Sequence, residues 1–180
     1  TAVTEKRWPY FEEKLFCELF LENLKLCKKL KEFLLYGFIV IPDHVHLLLK
    51  PGGKFNISEI IHAIKRHFSR NANLIISEGE VGQPRLHDEY KKFANIINNN
   101  DREIRQYKKL FIKKYGKDFD WPIFRWQQSF HDHVIRNEKD FYKHLNYIAM
   151  NCVKHNVCED EESYKWSFLN KEFNFLMDNF

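Results

Sequence analysis

The stretch Gly37-Phe-Ile-Val-Ile-Pro-Asp-His-Val-His-Leu-Leu-Leu-Lys50 decides how this chain is read. Rich in Ile, Val and Leu, it reads as one buried β-strand with histidines at i and i+2. Side chains alternate faces along a strand, so His44 and His46 point the same way and Val45 points opposite. Two imidazoles on one rigid face, flanked by apolar residues, suit a divalent metal. An isolated His-x-His is better explained by two half-buried histidines satisfied by hydrogen bonds, so the pair needs support from elsewhere in the chain.

That support lies about a hundred residues on, in His144-Leu-Asn-Tyr-Ile-Ala-Met-Asn-Cys-Val-Lys-His155. A helix is expected from Asn137 to His155, with Asn137 and Asp140 marking its start. Phe141, Leu145, Ile148 and Cys152 form its core stripe. His144, Tyr147, Asn151, and Lys154 or His155 form a second stripe beside it. Residues four apart lie one turn above each other, so Tyr147 and Asn151 face the same space. Between the two segments runs Trp126-Gln-Gln-Ser-Phe-His-Asp-His-Val-Ile-Arg136.

The three segments, in this order, resemble the single-tyrosine HUH transposases, the IS200-like family that includes the REP-associated tyrosine transposases. The family strand reads approximately hydrophobic-Pro-Asn/Asp-His-hydrophobic-His-hydrophobic, and the chain has Ile41-Pro-Asp-His-Val-His-Leu47. The family helix reads approximately Tyr-Ile-x-x-Asn-Pro-Val-Lys-x-Gly, matched by Tyr147-Ile-Ala-Met-Asn-Cys-Val-Lys-His-Asn156. The linking segment is similar to Trp-Gln-x-x-Phe-x-Asp-His-x-Ile-Arg. Cys152 and Asn156 depart from the family's usual Pro and Gly, and Asp43 replaces the commoner Asn.

The resemblance implies a ferredoxin-like α+β fold: an antiparallel sheet with helices packed on it, the His-Val-His strand central. It implies a metal-dependent single-stranded DNA transposase or endonuclease working through a 5′-phosphotyrosine, at hairpin or REP-like sequences. Tyr147 would be the nucleophile. His44 and His46, with Asn151 carried over as third ligand, would hold Mg²⁺ or Mn²⁺. A phenol has pKa ~10, so such a nucleophile needs a base or the field of the metal. The alternative is a non-catalytic, domesticated protein that binds hairpin or single-stranded DNA. It predicts binding that survives loss of Tyr147 and of metal.

Around this centre, Arg66, Arg70, Arg136 and Lys154, together with Lys65, are candidates for backbone phosphate contacts. Trp121, Trp126 and Phe130 could stack unpaired bases, although most rings in a chain with 16% aromatic residues fill the core. Asp43 could orient the imidazole of His44, and His133 could support the site from behind. His131-Asp-His133 is itself a second His-x-His, better read as structural or DNA-contacting than as a metal site.

The 180 residues suggest one domain, with a helical insertion around 77–120 and a C-terminal tail from about 159. Tyr10 to Leu35 is expected as one amphipathic helix, with Phe11, Leu15, Leu19, Asn23, Cys27, Leu30 and Leu34 on its stripe. Pro51-Gly-Gly53 signals a turn, and Asn56 with Glu59 a capping box. Ile57, Ile60, Ile61, Ile64 and Phe68 make the apolar stripe of the helix that follows. Residues 77–84 read as loop and Asp88 to Lys117 as mostly helix, interrupted at Asn98-Asn-Asn100. Phe124 to Ile135 reads as strand. This alternation suits helices on one face of the sheet.

Net charge is only +4, so the total argues nothing about nucleic acid, although Arg102 to Lys117 carries seven Lys or Arg. Four cysteines without a Cys-x-x-Cys pair point to a reduced, cytoplasmic protein without structural zinc, and the family resemblance implies association with the nucleoid. The absence of a long apolar run excludes a membrane-spanning reading. Monomer and homodimer both remain open.

Overall fold

A computed structural model describes residues 1–76, 94–116 and 121–179. The run that reads as one strand is a hairpin. Pro42 and Asp43 make its turn, separating β2 (Phe33–Ile41) from β3 (His44–Pro51). Proline presets φ for a turn and aspartate favours the next position, so the division has a local cause. β1 (Ala2–Val3) pairs with the far edge of β3, giving an antiparallel sheet in the order β1-β3-β2. The histidine strand is therefore flanked on both sides.

A register shift between Leu35 and Gly37 decides which side chains share a face. Side chains alternate in a regular strand, and one extra residue reverses the parity. Leu35, Phe38 and Val40 thus join Val45, Leu47 and Leu49 on one face, while Gly37, Ile39 and Ile41 lie opposite Leu48, His46 and His44 on the other. The first face packs on α1 (Lys14–Lys31) and α2 (Ile57–Ile76), with Phe16, Phe20, Leu24, Ile64 and Phe68 buried. The second receives α4 (Glu138–Ala149) and α5 (Asn151–Lys154), through Phe141, Ile148 and Cys152. Helices cover both faces rather than the one expected, because the run Phe38-Ile39-Val40-Ile41 makes β2 apolar on both sides.

The long first helix runs only from Lys14 to Lys31. Glu32 takes a left-handed conformation (φ 50°, ψ 54°), which stops it. Phe11 to Leu30 of the expected stripe are buried, but Leu34 sits outside the helix on β2 and is exposed. Capping of α2 is reciprocal: Asn56 N donates to Glu59 Oε2 at 2.8 Å, and Glu59 N to Asn56 Oδ1 at 3.0 Å. α3 (Ala94–Tyr115) continues unbroken through Asn98-Asn-Asn100. Each asparagine costs ~0.7 kcal/mol at most in helix propensity, less than the burial of Ile104 and Phe111 returns. The loop expected at 77–84 and residues 88–93 of the expected helix lie outside the described residues.

Residues 124–135 form no regular strand. A single bridge, Trp126 to Thr4, and the bonds Glu5 N to Arg125 O and Gln127 N to Val3 O hold them beside β1. Beyond that point the ammonium of Lys65 takes the carbonyls of Gln127 (2.7 Å), Gln128 (3.3 Å) and Ser129 (3.2 Å), withdrawing them from a ladder. On the opposite edge, residues 166–168 lie against β2 through Val40 N to Trp166 O and Phe168 N to Phe38 O. Asp178 then closes on Leu35 N and Lys28. No described helix is long and apolar enough to cross a membrane.

Candidate active site

His44 and His46 project from the β3 face that receives α4 and α5. Their ring centroids are 5.0 Å apart. Each ring is fixed through Nδ1. His44 Nδ1 meets Asp43 Oδ1 at 2.6 Å, and the other carboxylate oxygen of Asp43 pairs with Arg7 at 2.8 Å. His46 Nδ1 meets Thr1 Oγ1 at 2.8 Å. An imidazole held at one nitrogen turns the other toward a partner, an arrangement common behind metal ligands. Burial pushes His46 down to about 3, helped by the neighbouring His44. Burial also lowers His44, against the opposing pull of Asp43. Both rings are therefore neutral near pH 7, the form that binds a metal.

The tyrosine helix begins at Asn137, whose side chain accepts from Asp140 N at 2.9 Å, and breaks at Met150 (φ −73°, ψ −2°). The break splits the single helix expected from Asn137 to His155. Tyr147 remains on α4, 42% exposed, its ring 5.4 Å from that of His46 at 83°. Lys154 places its ammonium 5.0 Å from the centre of the tyrosine ring. Asn151 opens α5 and is fully buried.

Whether these residues suit a divalent ion can be judged from polar atoms without partners. Among the described residues, four buried side-chain polar atoms have no hydrogen-bond partner: His46 Nε2, His67 Nε2, and Nδ2 and Oδ1 of Asn151. Three of the four belong to residues expected as ligands. Buried polar groups are ordinarily satisfied, so the unpartnered nitrogen of His46 and amide oxygen of Asn151 are of the donor types that a divalent cation accepts.

Other candidates fall elsewhere. His133 joins Asp140 (2.9 Å) and His144, not the His44 pair. Asp140 bridges both rings, meeting His144 Nδ1 at 3.1 Å, and the hydrogen bond with His133 holds its carboxyl below the usual range. Arg66 is exposed on α2, Arg70 bonds Asn71 Oδ1 at 2.8 Å, and Arg136 is exposed just before α4. Lys65, expected on a phosphate, spends its ammonium on backbone carbonyls. Trp121, Trp126 and Phe130 pack on the core. Sequence reasoning gave no role to Thr1, Arg7 or His155. The ring of His155 lies 4.9 Å from that of His44, and only its place four residues after Asn151 hinted at this.

Fold and site together define an antiparallel-sheet protein whose His-x-His pair faces a helix-borne tyrosine. Residues 1–107 match the family described as Transposase IS200 like, and the chain belongs to that family. The matched region includes both histidines and ends before Tyr147. A Haemophilus influenzae protein provisionally named a REP-associated tyrosine transposase is 28% identical over 134 residues, 74% of this chain. The chain spans 57% of that relative's length. A solved REP-associated tyrosine transposase, bound to a REP hairpin, has the same fold with a TM-score of 0.62 at 18% identity. That likeness covers 98% of this chain and 79% of the other.

Proposed function

We propose that this chain cleaves and rejoins single-stranded DNA through a covalent bond to Tyr147, at hairpin or REP-like sequences. The observation that carries the reading is the approach of a solvent-accessible tyrosine to His46, 5.4 Å between rings, together with the unpartnered buried polar atoms of His46 and Asn151. A divalent cation, Mg²⁺ or Mn²⁺, would be held by His44, His46 and Asn151. Such an ion supplies Lewis-acid polarisation of the scissile phosphate and lowers the cost of ionising a nearby phenol.

Tyr147 Oη attacks phosphorus and loses its proton as the new O–P bond forms. The P–O3′ bond breaks, and the departing oxygen takes up a proton to become a 3′-OH. The 5′ phosphate stays on tyrosine, so a second 3′-OH can reverse the attack without ATP. Arg7 and Asp43 keep His44 in one orientation, and Thr1 does the same for His46. Lys154, Arg66, Arg70 and Arg136 offer positive charge to the DNA backbone. The hairpin seen with the structural relative motivates the choice of substrate.

The test uses 5′- and 3′-labelled hairpin oligonucleotides with Mg²⁺ or Mn²⁺ on a denaturing gel. Cleavage that leaves the 3′ fragment on protein, abolished by EDTA and by His46→Ala, is expected. Hairpin binding without cleavage under either metal would replace this reading with the non-catalytic one.

A further inference from the structure

Two imidazoles and a carboxylate, from His133, His144 and Asp140, meet one helical turn before Tyr147. Asp140 and His144 stand four apart on α4 and so share one face of it. His133 reaches the same carboxylate from the irregular segment ahead of the helix. Its Nε2 lies 2.9 Å from Asp140 Oδ2, and His144 Nδ1 lies 3.1 Å from Asp140 Oδ1. The three ligand atoms all fall within 4.8 Å of one another, and among the described residues no other three His, Cys, Asp or Glu side chains meet that spacing. Arg136 N donates to Asp140 Oδ2 at 3.2 Å, and Asp140 N donates to Asn137 Oδ1 at 2.9 Å, so the carboxylate is oriented from behind.

Donor atoms bound to one ion at ~2.1 Å, with about 90–109° between bonds, lie roughly 3.0–3.4 Å apart. Both contacts to Asp140 stand close to that spacing. The two rings are the pair that must adjust, because they stack at 4.3 Å with 14° between planes and their lone pairs run in nearly parallel planes. The His133 side chain is 50% exposed, so turning its Nε2 toward an ion shared with His144 meets solvent and not core. His144 Nδ1 also lies 2.9 Å from the Asp140 carbonyl, a bond that the ion replaces. Each neutral ring then carries its hydrogen on the other nitrogen.

We infer that His133, Asp140 and His144 form a three-ligand site for Zn²⁺ or a chemically similar transition-metal ion, which clips the segment before α4 to the tyrosine helix. The site is separate from the ion proposed at His44 and His46 and does not depend on it. Two imidazole nitrogens and one carboxylate oxygen suit zinc, with water in the open position, whereas Mg²⁺ favours oxygen donors and gives up water reluctantly. The cysteine spacing excluded a thiolate zinc site, and this cluster uses no thiolate. Residues 124–135 form no regular strand, and Val134 beside His133 is 71% exposed. An ion bridging His133 to α4 fixes the end of that segment, and with it the start of the helix that carries Tyr147.

The test is titration calorimetry of the full chain with Zn²⁺, in the wild type and in His133→Ala, His144→Ala, His131→Ala and His46→Ala. The first two variants should each lose one equivalent of Zn²⁺, or bind it more than roughly tenfold weaker, since losing even an outer partner of a metal ligand costs that much. His131→Ala and His46→Ala should keep that equivalent. His131 and His133 are exposed, so their replacement leaves the core untouched. A second readout is trypsin cleavage after the exposed Arg136, which Zn²⁺ should slow in the wild type and not in His133→Ala. Zn²⁺ binding unchanged in His133→Ala and His144→Ala would overturn the site, as would its loss in His131→Ala or His46→Ala, or a wild type that binds no Zn²⁺. Binding without slower cleavage would overturn the clip.

Discussion

Asn151→Leu separates what the site costs the fold from what it does for an ion. Leucine keeps the branched shape of asparagine and removes the two buried atoms that have no partner. An unpaired buried amide costs ~1–3 kcal/mol in protein mutational series. The extra bulk of the methyl groups returns about 1 kcal/mol of that as overpacking. The metal-free variant should therefore be about 0–2 kcal/mol more stable, and a chain of this size shifts its Tm by ~2–4 °C per kcal/mol. In EDTA the melting temperature should hold or rise by up to about 8 °C, by the same conversion. Added Mn²⁺ at roughly a hundred times its Kd should stabilise the wild type by about 2.7 kcal/mol, and the variant far less. Thermal unfolding with and without the ion reads both effects. A variant that melts lower in EDTA and keeps the full Mn²⁺ response would refute the reasoning, because Asn151 would then be a satisfied core residue.

Further predictions concern the frame that holds the site. At Gly52 an added Cβ would meet the backbone oxygen of Glu32 at 2.0 Å, so Gly52→Ala should cost at least ~2 kcal/mol by urea unfolding, whereas Gly53→Ala meets no neighbouring atom within 4 Å and suffers only its positive φ of 104°. Lys65→Met should lower stability by about 2 kcal/mol, since a charged donor to three carbonyls is lost, yet leave the salt dependence of DNA binding unchanged; Arg66→Ala should do the reverse, reducing the slope by ~1. Burial raises the Glu13 carboxyl, but hydrogen bonds from Lys114, Tyr115 and Leu15 N outweigh it and leave it below its ordinary value of 4.5. Its stabilisation is complete above that value and disappears as pH falls through the lower folded one. Wild-type urea midpoints should accordingly fall more steeply below pH ~4 than those of Glu13→Gln, and parallel curves would contradict the sign.

Much of the sheet's central element was legible because strands announce themselves in side-chain alternation. The shared face of His44 and His46 follows from period two alone, and their neighbours Ile39 and Ile41 then had to be apolar. The hairpin was hidden by a turn of only two residues, Pro42 and Asp43, inside a continuous apolar run. The bulge at Tyr36 was hidden too, since an inserted residue leaves no mark on composition, and it sets which face Leu35 shares with Phe38 and Val40. Leu34 continued a helical stripe by spacing, while the left-handed Glu32 that ends the helix lacks the glycine usual at such a position. Phe124 to Ile135 read as strand, and the carbonyls of Gln127, Gln128 and Ser129 instead went to Lys65, a tertiary contact that local pattern cannot encode.

The site divides in the same way. The residues carried by motif, His44, His46, Tyr147 and Asn151, could be named from spacing and resemblance. The residues that orient them come from distant parts of the chain. Thr1 reaches His46 across β1, and Arg7 reaches Asp43 from a short helical turn at residues 5–7. Neither has a sequence signature, because each needs the fold before its distance means anything. His133 illustrates the converse: it lies in a recognisable motif, and its ring bonds Asp140 and stacks on His144, both on α4.

The central claim is that Tyr147 forms the covalent bond to DNA. The measurement that meets it most directly is mass spectrometry of protein trapped with a hairpin oligonucleotide and Mn²⁺, digested with nuclease and protease. The account predicts a nucleotide 5′-phosphate attached to the peptide containing Tyr147, absent in Tyr147→Phe and in EDTA. An adduct on another tyrosine, or cleaved DNA with no adduct anywhere, would contradict it.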